Sequence, residues 1–239
     1  VFTIVFTGLK INVENPQLHG TLGKSILLSV NYSLEANSKL FDVAWHLHRY
    51  SNSTRLSHYD PGSSQVSLFG DYIHRTKYFP NASIFLQNLN FSDEGLYVLT
   101  IALGNGKETT GEIRLTVDVP VSGIVITQIP EPVKLYEKVI LNCSVEEGTK
   151  LKIKWLNGSS AITNDTGHQV LPYGQMTLML AMETPECGTY ICVAENPISR
   201  VEENHTFVGE KPMCGDPCQG SNIILLSVAA NKLGLLKRG

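Results

Sequence analysis

The sequence predicts an all-β protein built as two tandem sandwiches, and three observations carry that reading. Short alternating or apolar runs recur at intervals of about ten residues, broken by Gly, Asn, Ser and Asp, as in sandwich domains. A frame of acid, Gly and Tyr occurs twice, in DEGLYVLTI (Asp93 to Ile101) and PECGTYICVA (Pro185 to Ala194). The chain's two tryptophans, Trp45 and Trp155, fall one in each half. A length of 239 residues suits two domains of about 100 residues each.

Taken in order, VFTIVFTG (residues 1–8) is an apolar run ending on a small residue and reads as the remnant of a signal peptide, with an edge strand as the alternative. Residues 9–118 form the first domain. Its strands are expected in SILLSVNYS, FDVAWHLHRY, QVSLF, TKYF, SIFLQNL, LYVLTIAL and EIRLTVDV. The Pro-containing VPVS, Val119 to Ser122, is a brief hinge. Residues 121–209 form the second domain, with strands expected in GIVITQI, KVILNCSV, KIKWLNG, MTLMLAM, TYICVAEN and NHTFVG. Residues 210–239 make a Cys-containing tail. Its apolar run Ile223 to Ala230 is shorter than the about 17 residues a membrane helix needs, and reads as the truncated start of a membrane segment.

In the second half Cys143 precedes Trp155 by twelve positions, Cys192 follows it by 37, and Tyr190 stands two residues before Cys192. This is the immunoglobulin signature: cysteines of strands B and F bridge the two sheets, the strand-C tryptophan packs on the bond, and the tyrosine ties the turn between E and F. Aligned on Trp45 and Tyr97, the first half places Val30 and Leu99 where those cysteines stand. The slot between the sheets is therefore expected to be filled with hydrocarbon. A disulfide stabilises by about 2–4 kcal/mol, and burial of a Val or Leu side chain by about 1.5–3 kcal/mol offsets much of that loss. The first half is also longer between Trp and Tyr, leaving room for C′ and C″ strands, so it reads as the variable-type domain and the second as constant-like. Arg75 is placed to pair with Asp93 at the lower end of the first domain, where a plain turn residue is the alternative.

With Cys143 paired to Cys192, the odd count of five cysteines leaves Cys187, Cys214 and Cys218. A Cys187–Cys214 bridge, an inter-chain bond through Cys218 and a free thiol all remain open. His205, Cys214 and Cys218 lack a fourth ligand and a usual zinc spacing, so no metal and no cofactor are expected. No nucleophile elbow or phosphate loop is present and the carboxylates are scattered, which argues against an enzyme. With 19 basic against 22 acidic residues there is no basic field for nucleic acid or anionic lipid. Membrane attachment is expected only through an anchor that these residues do not supply.

Eight Asn-x-Ser/Thr sequons begin at Asn31, Asn52, Asn81, Asn90, Asn142, Asn157, Asn164 and Asn204, pointing to the secretory pathway. In the first domain Asn31, Asn81 and Asn90 belong to the A-B-E-D sheet, so glycans are expected to cover that side. Strands F and G carry none, and strand C none before Asn52 at its turn, which leaves the G-F-C-C′ face bare. By alternation its outward residues are His46 and His48 on C, Val98 and Thr100 on F, and Glu112 and Arg114 on G. Opposite charges beside small apolar groups suit self-association, with Glu112 facing Arg114 of a second copy. An ordinary solvated face is the alternative, and outward histidines on a strand are commonly just solvated.

A disulfide-free variable-type domain followed by a disulfide-bearing one resembles the layout of the SLAM-type lymphocyte adhesion group. HGTLGKSILLSVNYS, TGEIRLTVDVPVS, LNCS and ENPIS are similar to the hepatocyte cell adhesion molecule family, over about residues 9 to 205. That resemblance implies a cell-surface adhesion glycoprotein at the plasma membrane, on the extracellular side at cell–cell contacts, binding copies of itself in cis and in trans through its outer domain. An immune-type receptor or ligand for a different immunoglobulin-type surface protein is the alternative, as is a secreted decoy. The CGDPC segment and Cys187 depart from the family's pattern, as does the text after NIILLS.

Overall fold

The computed structural model describes residues 8–50, 52–131, 138–183 and 188–207. The expected signal remnant, Cys187, Cys214, Cys218 and the 210–239 tail lie outside these residues, apart from Gly8. The chain divides into two compact units, all-β throughout.

In the first unit the strands are β1 (Lys10–Val13), β2 (Gln17–Thr21), β3 (Ile26–Leu28), β4 (Val30–Ser33), β5 (Leu40–Arg49), β6 (Asn52–Asp60), β7 (Gln65–Leu68), β8 (Thr76–Tyr78), β9 (Ile84–Leu86), β10 (Gly95–Leu103) and β11 (Glu108–Asp118). One sheet runs β2-β11-β10-β5-β6-β7, with β2 parallel to β11 and the other pairs antiparallel. Opposite it stand β3-β9-β8 and the pair β1-β4. In sandwich lettering β5, β6, β7, β10 and β11 are C, C′, C″, F and G, and the C′ and C″ strands make this the variable-type domain.

Period two explains the large sheet. Along β10, Tyr97, Leu99 and Ile101 are fully buried while Val98 and Thr100 between them are half-buried. Trp45 sits at the centre of the core and donates its indole N–H to the Ala82 carbonyl at 2.7 Å. Val30 and Leu99 lie buried in the same cluster. The backbone of Val30 is held as well: its N–H donates to Ser83 Oγ at 3.1 Å, and its carbonyl accepts from Ser83 Oγ and from Asn81 Nδ2.

The repeated frame has a physical reason at each position in this domain. Gly95 adopts φ +155°, and a Cβ there would stand 2.8 Å from the His48 carbonyl oxygen. Tyr97 donates its hydroxyl to the Asp93 carbonyl at 2.8 Å, closing the tyrosine corner. Asp93 is fully buried and Arg75 grips it with two parallel bonds, at 2.8 and 2.6 Å. The Asn90 amide and the Tyr72 hydroxyl donate to the same carboxylate. The ion pair expected from the sequence is thus present, with two further donors.

The second unit contains β12 (Ser122–Ile129), β13 (Val139–Glu147), β14 (Lys152–Asn157), β15 (Ser160–Ala161), β16 (His168–Pro172), β17 (Thr177–Met182), β18 (Tyr190–Asn196) and β19 (Ser199–His205). They form the sheets β12-β13-β17-β16 and β15-β14-β18-β19. Cys143 on β13 and Cys192 on β18 are joined by a disulfide that bridges these sheets. Trp155 lies opposite Cys192 in register and donates its indole N–H to the Leu178 carbonyl at 3.1 Å. Among the described residues no helix is long and apolar enough to cross a membrane.

Candidate contact face of the first domain

The outer side of the six-stranded sheet is built by three neighbouring rows of side chains. Register sets the middle row as Glu112, Val98, His46 and Arg55, running across β11, β10, β5 and β6. The row on one side is Arg114, Leu96, His48 and Ser53; on the other it is Thr110, Thr100, Ala44 and His58. All six residues read from the sequence as outward, His46, His48, Val98, Thr100, Glu112 and Arg114, stand on this face. Glu112, Arg114 and His48 are exposed; Val98, Thr100 and His46 are half-buried between taller neighbours.

Alternation along one strand does not show who stands beside whom across strands. A register shift between Trp45 and His46 brings Arg55, rather than Leu56, opposite His46. Arg55 is therefore a face residue that sequence reasoning missed. So are Leu96, which simple alternation from Val98 would have found, and the Asp42, Arg55, His58 group at the C–C′ edge. There His58 Nε2 contacts Asp42 Oδ1 closely and Arg55 approaches the same oxygen at 3.9 Å. Partial burial, then the positive charge of Arg55 and the neighbouring His48, hold the His46 imidazole below its ordinary value, against an opposing pull from Asp42. His46 is therefore neutral at physiological pH, and the middle row has an acidic end, a small neutral centre and a basic end.

The sequons are placed as follows. Asn52 is the first residue of β6, a strand of the contact sheet, and it lines a depression of about 860 Å³ together with His48, Leu96 and Arg114. A sequon thus borders the face at its lower end, where Asn52 pairs with Arg49 beside the outward Ser53. Elsewhere in this domain Asn31 is exposed on β4, Asn81 is exposed in the turn before β9, and Asn90 caps the short helical turn Phe91–Asp93, its carboxamide oxygen accepting from the Ser92 amide. In the second domain Asn164 and Asn204 are exposed, whereas Asn142 and Asn157 are half-buried. Among the described residues no group of three or more His, Cys, Asp or Glu is placed to hold a metal ion.

Comparison with known proteins places this geometry. The immunoglobulin V-set domain family matches residues 13–118, and the immunoglobulin I-set domain family matches residues 124–208. The chain is 36% identical over 197 residues to "Hepatic and glial cell adhesion molecule" of Mus musculus, covering 80% of this chain and 46% of that protein. It is 31% identical over 207 residues to "HEPACAM family member 2" of Homo sapiens, covering 83% and 44%. The chain therefore spans less than half the length of these relatives. Among solved structures, murine CEACAM1b has the same fold, with a TM-score of 0.68 at 19% identity over 85% of this chain and 100% of that one. A mouse coronavirus receptor-binding domain complexed with its murine receptor gives 0.64 at 21%, over 84% and 98%.

Proposed function

We propose that this chain, which belongs to the immunoglobulin superfamily, is the contact-making part of a cell-surface adhesion glycoprotein that binds a second copy of itself through the G-F-C-C′ face of its first domain. The observation that carries the reading is the middle row. Glu112 closes one end and Arg55 the other, with Val98 and His46 between them. Four strands at about 4.8 Å spacing put the two charges roughly 14 Å apart. A two-fold axis through the centre of the row sets Glu112 of each copy against Arg55 of the other, since in an isologous contact each residue pair occurs twice. The small, half-buried centre lets the two sheets approach. The Glu112–Arg114 pairing expected from the sequence needs an axis passing between those two residues of β11, whereas the axis through the middle row engages Arg55. Attachment of the sequon glycans, surface location and enrichment at cell contacts belong to the same reading, supported by the relatives' names and the sequon count.

The test is a charge swap. Glu112→Arg sets like charges against each other at both ends and is expected to weaken self-association by about tenfold or more, the ratio given by about 1.4 kcal/mol. Glu112→Arg combined with Arg55→Glu restores the complementarity. Sedimentation across a concentration series, with clustering of protein-coated beads beside it, reads both variants. A wild-type chain that stays monomeric and leaves beads dispersed sinks the homophilic reading and leaves binding to a different surface protein.

A further inference from the structure

Beside the middle row, the face sinks into the depression of about 860 Å³, within the range of built ligand sites. Its walls are unusual for a solvated sheet face. Tyr50 is fully exposed and Phe91 is 50% exposed, so two aromatic side chains line the depression with apolar surface open to solvent. Between them lie Leu96 and the polar tips of His48 and Arg114, neither of which has a side-chain hydrogen bond or ion pair among the described residues. Apolar surface next to unengaged polar tips suits a ligand with hydrocarbon on one side and hydroxyls on the other. A sugar has that character.

Asn52, the sequon's own asparagine, lines the same depression, and Ser53 of the sequon lines it too. Asn52 pairs with Arg49, one residue off the outward row of His48 and Ser53, so a glycan attached there starts at the margin of the depression; the seat and its occupant are parts of one chain, and no translational entropy of association opposes the contact. We infer that the core of an N-linked oligosaccharide on Asn52 packs into this depression against Tyr50 and Phe91. The covered ground is the row of Leu96, His48 and Arg114. What remains open is the row from Glu112 to Arg55, so the seated glycan sets the lower border of the contact proposed above, on which this consequence rests.

The experiment uses the full chain secreted from animal cells. Glycopeptide mass spectrometry first reads occupancy at Asn52 and Asn164. A peptide-N-glycosidase then acts on the native protein, and release is followed at each site. The expected result is release at Asn52 about tenfold slower than at the exposed Asn164, the ratio about 1.4 kcal/mol of seating produces. Tyr50→Ser removes one wall and is expected to raise the Asn52 rate toward that of Asn164 while leaving Asn164 unchanged, which controls for folding. An unoccupied Asn52, or equal rates at the two sites in the wild type, overturns the seat. None of these readings needs self-association, so a chain that seats its glycan but never pairs defeats the homophilic reading alone. Thr54→Ala, which removes the sequon and keeps Asn52, is expected to shift the self-association constant; no shift overturns the border role.

Discussion

The two domains solve one problem differently. Each must hold two sheets together at the strand B to strand F slot, under a buried tryptophan. The second does so covalently, through Cys143 and Cys192. The first does so with Val30 and Leu99, both buried, and adds polar ties nearby: Ser83 and Asn81 on the Val30 backbone, and the Arg75–Asp93 pair beneath the tyrosine corner. A covalent tie acts mainly by restricting the unfolded chain, whereas packing and hydrogen bonds act in the folded state. The domains should therefore respond to different insults.

The largest expected contrast comes from breaking the covalent tie. Cys143 and Cys192 are separated by 49 residues, and closing a loop of that length is worth about 4 kcal/mol at 25 °C. Replacing both by alanine should cost the second domain about that much, read as faster hydrogen exchange in the amides of β13, β14 and β18. First-domain amides should exchange as in the wild type. The same asymmetry is expected when the wild type is treated with a reductant. Equal acceleration in both domains would break the comparison.

Acid should invert it. Burial alone would push the Asp93 carboxyl upward. The Arg75 bonds, the Asn90 amide, the charge of Arg75 and the Tyr72 hydroxyl outweigh that burial and hold it below the ordinary carboxylate range. A group whose folded pKa is lowered binds fewer protons folded than unfolded, so its contribution is fully present above the unfolded value of about 3.9. It is lost as pH falls through the lowered folded value. First-domain protection, taken relative to the intrinsic exchange rate at each pH, should therefore fall below about pH 4, and Asp93→Asn should remove that fall. At neutral pH the same change strands Arg75 and should cost about 3 kcal/mol, at the low end for a broken buried pair. Arg75 keeps the Gln87 and Asn88 carbonyls as acceptors, which limits the damage.

Sequence and structure divide along the same physical line. Features marked by motif spacing along the chain or by alternation within a strand, such as the disulfide, the two tryptophans, the tyrosine corner and the outward set His46, Val98 and Glu112, were legible. So was the chance of an Arg75–Asp93 pair, since turn residues at a strand's lower end have few places to go. Features fixed by the register of neighbouring strands were not. The register shift that brings Arg55 beside His46 leaves no mark in either strand's own pattern. Asn52 reads as a turn residue because the strand it opens, NSTRLSHYD, alternates weakly. Its place in a depression depends on Phe91, which is 39 positions away along the chain.

The smallest expected effect sharpens the comparison most. Val30→Cys with Leu99→Cys would give the first domain the tie it lacks. Closing the 69-residue separation is worth about 4 kcal/mol by loop entropy. The change also removes Val and Leu side chains whose burial contributes about 1.5–3 kcal/mol each, only partly replaced by buried sulfur. The two terms nearly cancel, so first-domain stability should move by less than about 1 kcal/mol once the bond forms. The measurement is exchange of the β10 amides in oxidised and reduced samples of the double variant. Oxidised protein should match the wild type, and reduced protein should fall well below it. An oxidised form stabilised by the full loop term would mean that the hydrocarbon adds little. The first domain would then owe its stability to its polar ties, Asp93 above all, and not to the packing in its slot.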